Sequence, residues 1–408
     1  MSRAGRARVA TALIAGMGIL AAACAGSPTA TVSPAAAGSP SPSFSPSITA
    51  SPSATPSSSA VASSKTPAMS AGSGGWQSVA GLPAASGGAL QDVGVDGSKL
   101  VAVGYGSYRG PGLVWTSTDG SVWQSQPSAT VLATVPLEAL AVGPSGLAAF
   151  GDDCSGTTEC LANVQASLST DGSAWKAGGP MTIRGAEGAS HAIWTGSQFV
   201  AVGRDTGSSP FGGAVWTSVD GAVWKQVPEG SVFAAAVVGG VATARGSLVA
   251  VGNATTPGKQ QAVVWNSKDG RTWSRLPDQA DFAGADMFDV VAGGPGYVAV
   301  GTASAGAAVW TSADGRTWSR VPDQPSLQGP AMYGVAAGPA GLAAVGYGSG
   351  GAAIWTSPDG ITWTRVPDSP DFAVAQALAV TAKGSTFVAV GRGTPAGTAQ
   401  PYVWVSNQ

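Results

Sequence analysis

The sequence predicts an all-β fold: a seven-bladed β-propeller of four-stranded blades, its last blade closed by the N-terminal strand, following a disordered tether. Two repeated sequence patterns predict this fold. A turn motif, S-x-D-G-x-x-W, occurs six times, and a strand pattern of the type LVAVG occurs seven times. The 408 residues also include 60 glycines and 14 tryptophans, a composition typical of many short strands joined by tight turns.

Residues 1–23 have the pattern of an export signal. Three arginines precede a small-residue apolar run at residues 9–23. About 20 apolar residues are needed to span a bilayer, so this run is short for a permanent membrane helix. Residues 20–24, LAAAC, resemble a bacterial lipobox. That resemblance implies that Cys24 is lipidated and holds the protein at the outer face of the bacterial cell membrane; ordinary secretion is the alternative.

The segment 24–74 is predicted to be a lipidated cysteine followed by a disordered linker. After Cys24 it consists almost entirely of Ser, Pro, Ala, Thr and Gly. Such a composition has too little apolar surface to offset the entropy lost on ordering. With coil statistics the linker reaches on the order of 40 Å. Its composition also permits O-glycosylation.

The charge argues against a nucleic-acid-binding protein, and the cysteine content favours a disulfide over a metal site. Loss of three signal arginines leaves 17 of 20 basic residues against 22 acidic ones, a net charge of −5. No basic run or stripe is present, which argues against a nucleic-acid partner. Cys154 and Cys160 are close enough in sequence to form a disulfide in an exported protein. The rival interpretation, a metal pair, lacks a nearby histidine or third cysteine. We expect no metal and no cofactor.

The turn motif sets the repeat length. Its aspartates lie 45 to 52 residues apart: Asp119, Asp171, Asp220, Asp269, Asp314 and Asp359. Each unit contains a Val/Ala strand, the LVAVG-type strand, a Gly-rich loop, a third strand such as AAVWTS, the turn motif and a last strand such as TWSRV. Four strands per unit, with turn signals between them, are typical of a propeller blade over residues 75–408.

The seventh unit lacks its own turn motif and last strand. The chain ends YVWVSNQ at residues 402–408, which matches the third strand of the other units. At the other end of the domain, residues 75–79, GWQSV, resemble the fourth strand. The N-terminal strand should therefore complete the last blade and join the two ends of the ring.

The motif S-x-D-G-x-x-W resembles the Asp-box, or bacterial neuraminidase repeat. This repeat occurs in sialidases, sortilin-type receptors, xyloglucanases and photosystem-assembly propellers. The resemblance implies the fold and the blade type over nearly all of residues 75–408. It does not imply one function, because those proteins do unrelated things.

The motif itself is predicted to be structural. Its aspartate can accept hydrogen bonds from backbone N–H groups of the turn, and its glycine supplies a positive φ. A catalytic role would need carboxylates that converge, whereas six copies spread around a ring cannot converge. An EF-hand-like calcium role would need several carboxylates before the glycine, and each copy has one.

A ligand site is expected on the top face, opposite the motif turns. Two sets of positions are expected to face it, and each blade contributes one residue to each set. The first lies eight residues before the LVAVG-type element: Asp92, Ala139, His191, Gly240, Asp289, Gly334 and Ala379. The second follows the glycine of that element: Tyr105, Asp152, Arg204, Asn253, Thr302, Tyr347 and Arg392. The second set is polar in every blade, which suits either a binding surface or solvated loop ends.

His191 is the one histidine in the sequence. With Asp92 and Asp289 it forms a candidate metal or acid–base group, although its partners come from other blades and are expected to lie far apart across the channel. As a lone histidine it also fits an ordinary polar lining residue.

The function predicted from these features is a binding or scaffolding module of the cell envelope. It is expected to be a monomer that binds a glycan or an envelope protein, and not an enzyme. Two alternatives are a sialidase-like glycoside hydrolase and an assembly factor for a membrane complex. The Arg-x-Pro sequences that resemble a sialidase motif begin at Arg275, Arg320 and Arg365. They repeat on the outermost strand, where a sialidase does not carry its substrate-binding arginine.

Overall fold

In the computed structural model the chain forms seven four-stranded antiparallel sheets. The structure describes residues 75–406 except 80–81, 83–87, 108–109, 128, 153–163, 182–185, 206–210, 229, 257, 259 and 395–398. The predicted signal segment, the lipidated Cys24, the linker and the Cys154–Cys160 disulfide therefore lie outside the described residues. No helix in the described part of the chain is long and apolar enough to cross a membrane.

The blades follow one another along the chain. Blade one is β2 (Ala89–Asp96), β3 (Lys99–Tyr105), β4 (Gly112–Ser117) and β5 (Gln124–Ser125). Blade two is β6 (Leu137–Gly143), β7 (Gly146–Asp152), β8 (Val164–Ser169) and β9 (Lys176–Met181). Blade three is β10 (Ala186–Trp194), β11 (Phe199–Asp205), β12 (Gly212–Ser218) and β13 (Lys225–Gln226). Blade four is β14 (Ala236–Ala244), β15 (Ser247–Ala254), β16 (Ala262–Ser267) and β17 (Trp273–Arg275).

The remaining blades have the same order. Blade five is β18 (Ala285–Gly293), β19 (Gly296–Ala303), β20 (Gly306–Ser312) and β21 (Ser319–Arg320). Blade six is β22 (Ala331–Gly338), β23 (Gly341–Gly348), β24 (Gly351–Ser357) and β25 (Thr364–Arg365). Blade seven is β26 (Ala375–Lys383), β27 (Thr386–Gly393), β28 (Gln400–Ser406) and β1 (Trp76–Ser78). One turn of α-helix, α1 (Pro370–Ala373), and short 3₁₀ turns at Thr130–Leu132, Gly230–Val232, Ala280–Phe282 and Pro325–Leu327 precede five of the blades.

The first strand of every blade is innermost and contacts the first strands of both neighbouring blades, including β26 against β2. The ring is therefore closed around a central channel. The predicted fold, with its seven blades and its four strands per blade, is confirmed.

The second strand of each blade is buried on both faces because neighbouring blades pack against it. In β23, for example, Leu342 through Gly346 are all buried. This explains why the LVAVG-type pattern is continuously apolar and does not alternate. The cores lie between adjacent blades: Val298 and Val300 of blade five pack with Trp355 of blade six in one cluster.

The N-terminal strand closes the last blade, as predicted. Trp76 is paired with Ser406 and Ser78 with Trp404, in antiparallel register. Trp76 is 3% exposed and belongs to the core cluster that includes Trp404. The chain therefore enters the propeller at the end of β28 that corresponds to the repeated turn in the other blades.

The repeated turn is held by the same hydrogen bonds in each copy, as blade six shows. Ser357 Oγ accepts the Gly360 N–H at 2.8 Å. Asp359 Oδ1 accepts the N–H groups of Ile361 and Thr362, both at 2.8 Å. The Trp363 indole donates to the Gly360 carbonyl oxygen at 3.0 Å. The six motif glycines have φ between 71° and 80°. The aspartate, glycine and tryptophan of the motif thus all take part in the hydrogen bonds of the turn.

A further tie between strand and loop was not predicted from the sequence. The indoles on the third strands of blades four, five and six donate to carbonyl oxygens of the 3₁₀ turn that precedes the same blade, such as Trp310 to Asp281 at 2.7 Å. The corresponding indoles of blades one, three and seven make no such bond to the described residues, and blade two has the fully buried Ser167 in place of tryptophan.

Candidate functional site at the top of the channel

Two ends of the ring can be distinguished by strand direction. We call the end that carries the hairpins between second and third strands the top face, and the end that carries the repeated turns the bottom face. The innermost strands begin at the top face, where Ala331, for example, pairs with Tyr347 at the end of β23. The second predicted set lies at this end, whereas the first set lies further along the innermost strands; Asp289, for example, is the fifth of the nine residues of β18.

The first set coincides with a β-bulge that recurs in all seven innermost strands. In blade five the register shifts between Met287 and Asp289, so Phe288 is left without a pairing partner on β19. The equivalent unpaired positions in the other blades are Gln91, Glu138, Ser190, Gly239, Tyr333 and Leu378. Bulges re-aim side chains, and these residues form a third set that the sequence analysis missed.

The bulge aspartates tie neighbouring blades together. Asp92 of blade one accepts the Leu140 N–H of blade two at 2.8 Å. Asp289 of blade five accepts the Val335 N–H of blade six at 3.0 Å. Each also accepts the N–H of the residue that follows it, at 2.7 Å. These carboxylates satisfy backbone groups that the bulge removes from the sheet ladder.

His191 makes the equivalent tie from blade three to blade four, because its Nδ1 accepts the Val241 N–H at 3.2 Å. The same Nδ1 lies 4.0 Å from Asp289 Oδ1. The expectation that these two residues are far apart across the channel was wrong, because the histidine reaches along the ring toward the next blades.

The two aspartates sit in a weakly solvated part of the channel. Burial raises the pKa of Asp92 to about 6, against the opposing effects of His191 and two backbone hydrogen bonds. Burial likewise raises the pKa of Asp289. Among the described residues no group of three or more His, Cys, Asp or Glu side chains is arranged to hold a metal ion.

The second set is divided between buried and solvent-facing residues. Tyr105 and Asp152 are buried, and Asp152 accepts the Gly188 N–H of the next blade at 2.9 Å. Arg204 and Asn253 are partly exposed. Arg392 is also partly exposed, and its Nε donates to Gln376 Oε1 at 2.7 Å on the neighbouring strand. Asp152 therefore serves as another tie between blades.

Three aromatic rings stack at the top of blades five and six. Phe288 and Tyr333 lie with ring centroids 4.9 Å apart and planes 11° apart. Tyr333 and Tyr347 follow at 4.5 Å and 16°. All three are partly exposed. Burial and the neighbouring Tyr347 phenol, with which it hydrogen-bonds, raise the pKa of Tyr333. We call these three residues the aromatic stack; Tyr347 was predicted as a site residue, and the other two were not.

The connections between second and third strands are shortest in the two blades that carry the aromatic stack. The hairpins between second and third strands of blades five and six contain two residues each, 304–305 and 349–350. The corresponding connections of the other blades contain six or more residues. These two hairpins therefore add little chain beyond the strand ends next to the stack.

The Arg-x-Pro sequences lie away from this site, as predicted. Arg275, Arg320 and Arg365 are on the outermost strands. Each contacts an aspartate three residues further on, with N–O distances of 3.7, 2.8 and 2.6 Å. These arginines support the outer edges of their blades and do not contribute to the channel.

No protein-family model matches the sequence, and no curated protein matches it. Among solved structures, YCF48 in complex with a D1 peptide has a TM-score of 0.56 at 13% identity, over 84% of this chain and 100% of its own. Hydrazine synthase of Kuenenia stuttgartiensis has a TM-score of 0.52 at 13% identity, over 76% of this chain and 94% of its own. A Trypanosoma rangeli sialidase in complex with 2,3-difluorosialic acid reaches 0.43 at 12% identity, over 79% and 54%.

At these identities the similarity is one of fold alone. Because a peptide-binding protein and an enzyme share the architecture with this chain, the fold by itself assigns neither catalysis nor binding. The chemistry has to be inferred from the side chains at the channel mouth.

Proposed function

We propose that this protein is a binding or scaffolding module of the bacterial cell envelope that receives a protein segment on its top face. The observation that carries the proposal is the aromatic stack. Phe288, Tyr333 and Tyr347 are partly exposed. They lie at the mouth of the channel and do not belong to the hydrophobic cores between blades. Aromatic residues grouped at the surface of a rigid framework are typical of protein-binding sites.

The architecture supports the same proposal. A framework repeated around a ring presents different residues at equivalent positions, so the mouth can be varied without changing the fold. The similarity to YCF48, whose structure contains a bound peptide, supports a peptide ligand over a glycan. The repeated turns support an assignment to the Asp-box type of propeller.

The proposed location follows from the N-terminal sequence. Residues 1–23 would direct export, lipidated Cys24 would anchor the protein in the outer face of the cell membrane, and residues 25–74 would tether the propeller to it. Since the described chain enters the propeller at the bottom face, the tether attaches opposite the aromatic stack.

A hydrolytic role has less support in the geometry. Asp92 and Asp289 each accept two backbone hydrogen bonds, and the arginines of the sialidase-like sequences lie on the outer strands. Turnover of fluorogenic glycosides by the purified protein, lost on changing Arg204 or Arg392, would contradict the proposal.

Site-specific cross-linking tests the binding role. A photoreactive amino acid is placed at Ala305 in the top hairpin of blade five, and a matched one at Val223, which is 62% exposed in the bottom turn of blade three. In cells that express the full chain, we expect a discrete protein adduct from position 305 and none from position 223. Adducts from the bottom position alone, or equal adducts from both, would refute a top-face binding site.

A further inference from the structure

The aromatic stack lies in a part of the top face that has acidic groups and no basic ones of its own. The first three strands of blades five and six, residues 285–312 and 331–357, contain two charged residues, Asp286 and Asp289, and no lysine or arginine. Both aspartates are on the same innermost strand as Phe288. Asp286 lies two residues before it, and Asp289 directly follows it. The carboxylates are therefore concentrated at the Phe288 end of the stack.

Asp286 differs from the other acidic residues of the channel. Asp92 and Asp289 are occupied by backbone N–H groups, whereas Asp286 Oδ2 accepts a hydrogen bond from the side-chain amide of Gln260 at 3.0 Å. Burial raises the pKa of Asp286, and this amide only partly opposes the effect. A carboxylate in such surroundings gains stability when a cation binds beside it.

One end of the stack is an apolar ring. Phe288 ends the row of three rings, and Tyr333 and Tyr347 are stacked behind it nearly parallel. A planar group that stacked on Phe288 would extend the row of rings and would lie near the Asp286 carboxylate. Among side chains, the arginine guanidinium meets both requirements, since it stacks on aromatic rings and forms paired hydrogen bonds with carboxylates. A lysine ammonium is strongly hydrated and lacks the planar surface.

We infer that the Phe288 end of the aromatic stack, together with Asp286, binds an arginine side chain presented by a flexible segment of a partner protein. This inference rests on the proposed function and narrows it, because it names the chemistry of the segment that is recognised. The Asp286 carboxylate of blade five favours a cationic group, and the hairpins next to the stack contain only two residues each.

Defined peptides test the inference. Three acetylated and amidated seven-residue peptides of Gly and Ser carry Arg, Lys or citrulline at the centre, and binding to the purified protein is measured by NMR titration. Citrulline has the shape of arginine without its charge. We expect the Arg peptide to bind about tenfold more tightly than the citrulline peptide and more tightly than the Lys peptide. Equal binding of the Arg and citrulline peptides would overturn the inference.

Variants with matched controls locate the contact. Asp286→Asn should weaken binding of the Arg peptide by about tenfold and Phe288→Ala by about fivefold. The controls are Asp278→Asn, an aspartate on the outer edge of blade four, and Phe211→Ala, a phenylalanine 50% exposed at the top of blade three. Both should leave binding unchanged. Phe288→Leu replaces Phe288→Ala if the latter lowers the urea midpoint.

The same variants separate this inference from the proposed function. If Phe288→Ala and Asp286→Asn leave both the Arg-peptide affinity and the cross-link from position 305 unchanged, arginine recognition is refuted and top-face binding stands. If the cross-link from position 305 is itself absent, the proposed function fails. An Arg peptide that binds with equal affinity to wild type and both variants refutes the assigned site.

Discussion

At the scale of single residues, the pKa of aspartate is shifted in opposite directions at two kinds of position, the repeated turn and the inner-strand bulge. An aspartate in the repeated turn is exposed and accepts two backbone N–H groups. At Asp171 the Ser173 hydroxyl also donates to the carboxylate, and this bond together with the two N–H groups lowers the pKa to about 2. An aspartate at the inner-strand bulge also accepts two N–H groups, but burial outweighs them and raises the pKa of Asp92 to about 6. The two groups therefore affect stability in different ranges of pH.

Removing a turn carboxylate should destabilise the propeller modestly. Asp359→Ala leaves the N–H groups of Ile361 and Thr362 without their acceptor, a loss similar to that of a helix cap, so we expect about 1 kcal/mol less stability in urea unfolding. Asp368→Ala is the control, because Asp368 is an exposed partner of Arg365 at the blade edge and should change stability by less than about 0.5 kcal/mol. Equal losses in both variants would refute the role of the turn.

The bulge aspartate should make stability fall as the pH rises. Because the folded-state pKa of Asp92 is raised above its unfolded value, its favourable contribution is complete below about pH 4 and lost as the pH passes through about 6. We expect wild-type stability to fall between pH 4 and 7 by an amount on the order of 2 kcal/mol from this group. Asp92→Asn should reduce that slope, and Asp289, whose pKa is also raised, should preserve part of it. An unchanged slope in urea unfolding across this range would contradict the assignment.

At the scale of elements, the three-residue strand β1 has more effect on the ring than its length suggests. It supplies the outer strand of blade seven, whereas every other blade takes its four strands from one continuous segment. Blade seven is thus the one whose integrity depends on contacts between distant parts of the chain.

Trp76→Ala should open this closure. Loss of a buried tryptophan costs about 3–5 kcal/mol, and here the loss falls on the junction of the ring. Hydrogen exchange should rise first in β27 and β28. The matched control is Trp123→Ala, a tryptophan 4% exposed in the turn of blade one, whose exchange should rise in blade one. The same pattern of exchange in both variants would show that β1 has no special role in closure.

At the scale of the whole molecule, the start of the described chain and the proposed site are at opposite faces of the propeller. The described chain enters at the bottom face, and the aromatic stack lies at the top. The proposed anchor, Cys24, precedes this entry point in the sequence.

Cys24→Ser should release the protein from the membrane. Without the thiol no acyl chains can be attached, so the protein should move from the membrane fraction to the soluble exported fraction on cell fractionation. The propeller should be unaffected, with an unchanged urea midpoint. A wild-type protein already found in the soluble exported fraction would favour ordinary secretion.

The sequence by itself determined the number of blades, the order of their strands and the closure by Trp76. These features depend on repeated local patterns, such as an aspartate and a glycine at fixed positions in a tight turn, and a repeat shows the same local physics six or seven times. It also predicted that the motif aspartates are structural, because residues spread around a ring cannot meet.

Only the tertiary structure decided what lies at the mouth of the channel. The bulges shift the register of the innermost strands, which places Phe288 and Tyr333 side by side although 45 residues separate them. The structure also brings His191 within 4.0 Å of Asp289 along the ring. Such contacts join different blades, and their geometry depends on how the blades pack against one another. Local sequence patterns do not specify how blades pack against one another. The candidate site therefore could not be predicted before the structure of the closed ring was known.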